Sequence, residues 1–408
     1  MNTIRWLSVA LCLLALGCSE QFADPIGAPR DGSSASDPCA AWTSEEDCRA
    51  DMQNSCSVQP NRVGCVSEDP NCPAISCTNG DPFVRRTGPA LSLRNQPYRF
   101  AGTNSWGAAW APDGCKISEL PDGESAATRI FDDMATLGVG VLRVWAFQSY
   151  AGSSGVEYSA FSRLVTHARR AGVRLIFVLE NQHPDCTRGG RNDDWFKSGY
   201  LAPYNGYELS YSEYVERLVE HFQNEPTILA WELLHEAGSE DFASLDAFVR
   251  QMTTLIRVHD PNHLIAIGVN NGYSRATNNQ GTNSNYAQLH THSTVDLVDV
   301  HDFGAADQAL TDFERTSYEI ARTLGKPIFI GAMAAELEDQ SSAALSRRAA
   351  RFSAKLDAAY DHGFVGALVY DYYPDWRIPG YSFDLRASDP LGSPNGILEQ
   401  AAAKFRRR

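Results

Sequence analysis

From residue 98 onward the chain repeats one pattern: a short apolar run, then a longer stretch whose apolar residues recur at helical spacing. A short run rich in β-branched and aromatic residues suits a strand buried on both faces. Successive strands joined by helices lie parallel to one another. The expected strands cover 98–103, 141–145, 174–179, 228–233, 264–269, 297–301, 327–330 and 367–370, and helices are expected at 126–137, 161–171, 212–222, 241–258, 307–324 and 343–362. This α/β pattern closes naturally into a (β/α)8 TIM barrel, a fold of about 250 residues. An open doubly wound sheet would carry a Gly-rich phosphate loop after its first strand, but Gly102-Thr103-Asn104 leads instead to Ser105-Trp106.

The chain of 408 residues leaves room for segments before the barrel domain, taken as 82–408. Residues 1–18 have the form of an export signal: Arg5 supplies the positive region, and the apolar stretch after it is too short to cross a bilayer. Its ending, Ala15-Leu16-Gly17-Cys18, resembles the lipobox of bacterial lipoproteins, which implies lipidation at Cys18 and a place on the outer membrane or cell surface. An ordinary secretory signal is the alternative, and either reading takes the protein out of the cytoplasm.

Residues 19–38, rich in Gly, Ser, Asp and Pro, are expected to form a flexible linker. Residues 39–81 hold Cys39, Cys48, Cys56, Cys65, Cys72 and Cys77, which is expected to be a small disulfide-rich module whose protein partner the sequence does not identify. Cys115 and Cys186 each follow a barrel strand and are expected to pair. The net charge of −15 argues against nucleic acid as a partner, because phosphates would be repelled by most of such a surface.

Active sites of such barrels lie where the strands end at the C-terminal face. The residues expected there are Asn104 and Trp106, Arg143 and Trp145, Glu180 to His183, His235-Glu236, Asn270-Asn271, His301-Asp302, Ala332 and Asp371-Tyr372. This ring is polar and aromatic, as a sugar site must be: hydroxyls need hydrogen-bond partners, and pyranose faces stack on aromatic rings.

At these positions the chain resembles glycoside hydrolase family 5, a clan of retaining barrels, and within it the endo-β-mannanase branch. The matching segments are Ala101-Gly102-Thr103-Asn104, Leu142-Arg143-Val144-Trp145-Ala146-Phe147, Trp231-Glu232-Leu233-Leu234-His235-Glu236, Val300-His301-Asp302-Phe303 and Gly325-Lys326-Pro327-Ile328-Phe329-Ile330-Gly331. The resemblance implies that Glu236 is the acid/base, which needs a raised pKa to protonate a leaving oxygen. It also implies that Arg143 lies beneath the active-site carboxylates, that His301 and Tyr370 flank the cleft, and that Asn104, Trp106, Trp145 and Gln182 contact the substrate, a polysaccharide or oligosaccharide.

Two departures bear on chemistry. His235 stands where the family carries Asn, and an imidazole can still donate a hydrogen bond to the sugar 2-hydroxyl. Ala332 stands where the family carries its Glu nucleophile, and a methyl group cannot attack an anomeric carbon. Retaining hydrolysis needs two carboxyl groups roughly 5 Å apart. Glu336, Glu180, Asp302 and Asp371 are the candidates to replace the second, in an inverting arrangement if the gap is about 6.5–9.5 Å.

The expected function is recognition, with hydrolysis if a carboxylate is relocated, of a β-linked polysaccharide such as mannan or glucan. The rival is a catalytically impaired carbohydrate-binding surface protein, and a third reading makes the barrel a scaffold for the cysteine module. No cofactor and no metal are expected: His290 and His292 lack a third ligand, Ser239 breaks the HExxH pattern begun at His235-Glu236, and no Gly-x-Ser-x-Gly elbow follows a strand. Trp110, Trp195 and Trp376 are expected in loops, either stacking on distant sugar units or covering the core.

Overall fold

A computed structural model describes residues 81–109, 123–271, 274–279, 281–303, 308–337, 339–373 and 388–407. The export signal, the linker, the six-cysteine module, Cys18, Cys115, Trp110 and Trp376 lie outside them.

Eight parallel strands form the barrel: β4 (Phe100–Ser105), β5 (Val141–Trp145), β6 (Arg174–Val178), β7 (Ile228–Glu232), β8 (Leu264–Ala266), β9 (Val298–Asp302), β10 (Ile328–Met333) and β11 (Gly366–Val369). Their hydrogen-bonded order is β8-β7-β6-β5-β4-β11-β10-β9. The remaining seam, between β8 and β9, is bridged where Asp296 and Leu297 donate backbone N–H groups to Ile265 O. Asp299 fastens it further by accepting from the backbone N–H groups of Gly268 and Val269 at 3.1 and 3.2 Å.

Every residue of these strands but Arg174 is buried, which is why they read as near-continuous apolar runs in the sequence. Phe100, Val141, Ile176, Ala230, Leu264, Phe329 and Leu368 belong to one cluster inside the barrel. Phe100 fits because its register partner on β11 is Gly366, where a Cβ would stand 2.1 Å from the Phe100 ring.

Three short strands precede the barrel: β1 (Val84–Thr87), β2 (Ala90–Leu93) and β3 (Gln96–Tyr98), an antiparallel meander. Arg94 and Asn95, at φ 51° and 62°, form the two-residue turn between β2 and β3. Val84 and Leu91 pack into the interior cluster, so the meander covers one end of the barrel. The first barrel strand was expected from residue 98, but Tyr98 belongs to β3. Periodicity cannot separate the two, because apolar residues run through both.

Helices α1 (Gly123–Leu137), α2 (Ser159–Arg170), α3 (Asp193–Lys197), α4 (Tyr211–Phe222), α5 (Phe242–His259), α6 (Asn285–Leu289), α7 (Asp312–Leu324), α8 (Ser342–His362) and α9 (Ile397–Phe405) complete the described elements. Capping boxes start two of them. Ser210 and Glu213 satisfy each other's backbone at α4, and Thr311 with Glu314 do so at α7, which therefore begins later than the expected 307. Trp195 was expected in a loop but lies in α3, buried against Tyr200, Tyr211 and Phe248, and so belongs to the core.

Candidate active site

The end of β7 turns sharply. His235 donates its backbone N–H to Glu180 O and Ala237 donates to Gly268 O, both at 2.7 Å, and between these anchors Glu236 adopts φ 60°. A non-glycine residue held in this left-handed region is strained, and the flanking bonds are what hold it there. The turn also needs Gly268, at φ 78°, where a Cβ would lie 1.7 Å from Leu234 O. β8 ends at Ala266, short of the expected 269, and beyond Gly268, Val269 forms only an isolated parallel bridge with Ala237.

Beneath the turn lies a buried ion pair. Arg143 donates from Nε to Glu232 Oε2 at 2.9 Å and pairs through Nη2 with the other carboxylate oxygen. Its Nη1 donates to Asn104 Oδ1 at 2.9 Å, and Nη2 also lies 3.2 Å from His235 Nδ1. Burial works to lower the Arg143 pKa, but the Glu232 carboxylate outweighs it and raises the value above the ordinary one. Asn104 in turn donates to Gly331 O at 3.0 Å. Arg143 and Asn104 are completely buried with these groups engaged, so they support the site from below rather than presenting polar atoms to a ligand.

Since a guanidinium can only donate, His235 Nδ1 is the acceptor, and Nε2 carries the proton. Burial holds the His235 pKa well below the ordinary value, partly offset by Glu236, so the ring is neutral near pH 7. It packs against Trp145 at 4.8 Å between ring centroids. The ring thus offers an N–H donor where the family's Asn would offer one.

Glu236 lies between two imidazoles. His183 Nε2 is 3.0 Å from Oε2, and His301 Nδ1 is 2.9 Å from Oε1. Burial alone would raise the Glu236 pKa, but the hydrogen bonds from His183 and His301 outweigh it and hold the carboxyl far below its ordinary range. The glycosidase resemblance leads one to expect the opposite. An acid/base is protonated when a second carboxylate stands beside it, whereas the groups dominating Glu236 here are histidines.

The expected replacement carboxylates are engaged elsewhere or differently placed. Glu180 is buried, pairs with Arg191 at 3.1 Å and accepts from Tyr204 Oη at 3.0 Å. Asp302 pairs with Lys355 of α8, on the outer side of the sheet. Glu336 is exposed and Asp371 is buried. Ala332 sits on β10 in register with His301 and is fully buried, and the neighbouring His301 Nε2 is buried with no hydrogen-bond partner among the described residues.

Gln182 links two loops, donating to Arg191 O at 3.1 Å and accepting from Gly238 N at 2.7 Å. Trp106, partly open, packs on buried Tyr373, and Tyr370, partly open, packs on exposed Phe303. His301 is fixed through its backbone N–H, which donates to Asn271 Oδ1 at 2.8 Å. Cys186 is disulfide-bonded. His290 and His292, expected in a surface segment, have separate roles: His290 is buried against Tyr286 O, and His292 binds Asp246.

Two site residues escaped the sequence reading. Glu232 reads in the sequence only as part of a strand, though a carboxylate and an arginine, each inside an otherwise apolar barrel strand, predict one another. His183 was placed in the ring of mouth residues but not singled out, because nothing in the sequence shows that its loop folds over Glu236.

The family model described as Cellulase (glycosyl hydrolase family 5) matches residues 94–365. Mannan endo-1,4-beta-mannosidase 5 of Solanum lycopersicum is 24% identical over 260 residues, 55% of this chain and 61% of its own length. Mannan endo-1,4-beta-mannosidase 7 of Arabidopsis thaliana is 25% identical over 273 residues, 57% of this chain and 62% of its own. The match therefore spans about three-fifths of these curated relatives. Among solved structures, an endo-1,4-beta-mannanase from Rhizomucor miehei aligns with a TM-score of 0.63 at 18% identity, covering 80% of this chain and 100% of the other. An endoglucanase from Pseudomonas stutzeri aligns at 0.55 and 16% identity, over 76% and 95%.

Proposed function

Because the chain belongs to glycosyl hydrolase family 5, we propose that its barrel mouth recognises a β-linked polysaccharide of the mannan or glucan type, with Glu236 as the residue that exchanges a proton with the glycosidic oxygen. The observation that carries this reading is the placement of Glu236 on a strained turn at the end of β7, partly open to solvent, with the His235 N–H donor and the Trp145 ring beside it. The names of its relatives, mannan endo-1,4-beta-mannosidases, support the substrate class.

A second reading is favoured by the state of Glu236 and by Ala332. Without a nucleophile across the cleft the covalent route is closed, and loss of a nucleophile costs on the order of 10⁶ in rate. On this reading the chain binds the polysaccharide with little turnover. The form of residues 1–18 and Cys18 supports export, with a lipid anchor at the cell surface.

One assay separates the two. Reducing-sugar release from a panel of mannans and glucans is measured for the parent chain, Glu236→Gln and Ala332→Glu, with circular dichroism to confirm folding. Turnover in the parent that disappears in Glu236→Gln establishes hydrolysis. Binding without turnover in the parent, with turnover appearing in Ala332→Glu, establishes the impaired form, since the added carboxylate supplies a nucleophile and raises the Glu236 pKa by like-charge repulsion. Failure of every protein to bind any glycan removes both readings.

A further inference from the structure

The mouth holds a donor set that sugar hydrolysis does not require. Three imidazoles converge on one carboxylate: His183 and His301 touch its two oxygens, and ligating atoms of His235, Glu236 and His301 all lie within 4.8 Å of one another. Donors around a tetrahedral zinc ion, with bonds of about 2.0–2.2 Å, stand about 3.4 Å apart, so small side-chain adjustments would close the set around an ion.

From this geometry we propose that Glu236, His301 and His235 bind a divalent transition-metal ion at the barrel mouth. Imidazole with a single carboxylate selects zinc, copper, nickel or cobalt over magnesium and calcium, which demand oxygen-rich cages. Two histidines and one glutamate leave a fourth position open. His183, half exposed, bonds the other carboxylate oxygen and lies outside this set, so the fourth position is left to water.

The surroundings suit a cation. Carboxylates of Glu232, Glu236 and Asp299 all act on the Arg143 guanidinium. Ligation through His235 Nε2 moves the ring proton to Nδ1 and gives up the contact from Arg143 Nη2. Both groups are then donors 3.2 Å apart, so the His235 ring must draw back from Arg143, which keeps its bonds to both Glu232 oxygens and to Asn104. His301 is anchored at its backbone N–H by Asn271, its ring is buried, and its Nδ1 already faces Glu236 Oε1. A metal here occupies the oxygens with which Glu236 would exchange a proton, so the bound form cannot use Glu236 as an acid or base.

A second grouping, Glu216, Glu220 and His259, provides the control. There the carboxylates meet different nitrogens of the ring, Glu220 at Nδ1 and Glu216 at Nε2, and Glu220 is exposed, so that grouping is more open to water than the one at the mouth.

The experiment uses the full chain stripped with EDTA and dialysed, titrated with zinc chloride by calorimetry and with cobalt chloride by visible absorption. The expected result is one zinc per chain, cobalt d–d bands in the parent, and affinity lowered at least about 10-fold in both Glu236→Gln and His301→Gln. Glu220→Gln should bind as the parent does. The proposal is overturned if the parent takes up no stoichiometric zinc and shows no cobalt bands, or if Glu236→Gln binds as tightly as the parent. The cobalt spectrum of the parent keeps the test valid should a variant fail to fold. Glycan binding measured separately in EDTA tests the polysaccharide reading without reference to the metal.

Discussion

At the scale of single residues, charge at the mouth makes stability depend on pH in a predictable sense. Glu236, with a folded pKa depressed below its ordinary 4.5, contributes stability that is complete above that value and is lost as pH falls through and below it. His235, depressed below its ordinary 6.5, acts earlier. Below pH 6.5 the unfolded chain takes up a proton that the folded ring refuses, so stability declines as pH falls from there. His183 is raised chiefly by its hydrogen bond to Glu236, so its contribution is present below 6.5 and fades as pH rises, but the ring is half exposed and the effect small. Urea midpoints of the parent should therefore fall between pH 6.5 and 5, and His235→Asn should flatten that interval while leaving the decline below 4.5. An unchanged slope in His235→Asn would show that this ring is not buried in its neutral form. The sequence placed Glu236, His235 and His301 at the mouth because they end strands. It could not show the depressed state of Glu236, which depends on a loop bringing His183 across from the end of β6.

Among the elements, strands were legible where they are buried on both faces, as in Val141–Trp145, and illegible where they are short and half polar, as in the meander of Val84 to Tyr98. Short helices such as Asp193–Lys197 were missed because one turn carries no measurable period. The same chain of reasoning misplaced Asp302 at the mouth. Successive strand residues face opposite sides, so with His301 directed inward Asp302 must face the helices, where Lys355 meets it. This pair joins β9 to α8, and both side chains are buried. Glu314 lies close by, its pKa pushed up to about 7 by burial and by the charge of Asp302. Lys355→Met removes the ammonium that pairs with buried Asp302 and should cost about 3–5 kcal/mol in chemical denaturation. Adding Asp302→Leu should recover part of that loss, because a buried carboxylate then no longer faces an apolar side chain. A loss under about 1 kcal/mol in the single variant would mean that water reaches Asp302 and the pair is not a fastening of the sheet.

Across the whole molecule the two faces of the barrel divide the work: loops at the C-terminal ends of the strands form the site, and elements away from it supply closure. The meander seals one end through Val84 and Leu91, and α9 secures the wall by packing on α8 and β4. Leu398, Ala402 and Phe405 of α9 are buried, and Phe405 meets Tyr360 of α8 at 5.2 Å between ring centroids. Arg99, just before β4, stacks over both rings and donates to the backbone carbonyls of Tyr360 and Phe364, tying the start of the first barrel strand to the end of α8. Removing residues from 397 onward exposes the apolar side of α8 and should cost about 3–6 kcal/mol for Leu398 and Phe405 together. A domain is stable by only about 5–15 kcal/mol, so the shortened chain should melt at a much lower temperature or fail to fold. Because the last and first strands, β11 and β4, meet at this wall, loosening it opens the barrel as a unit. Thermal melts followed by far-ultraviolet dichroism and by glycan binding should then shift together. If binding is lost while the melt is unchanged, α9 acts on the mouth directly and not through closure of the barrel.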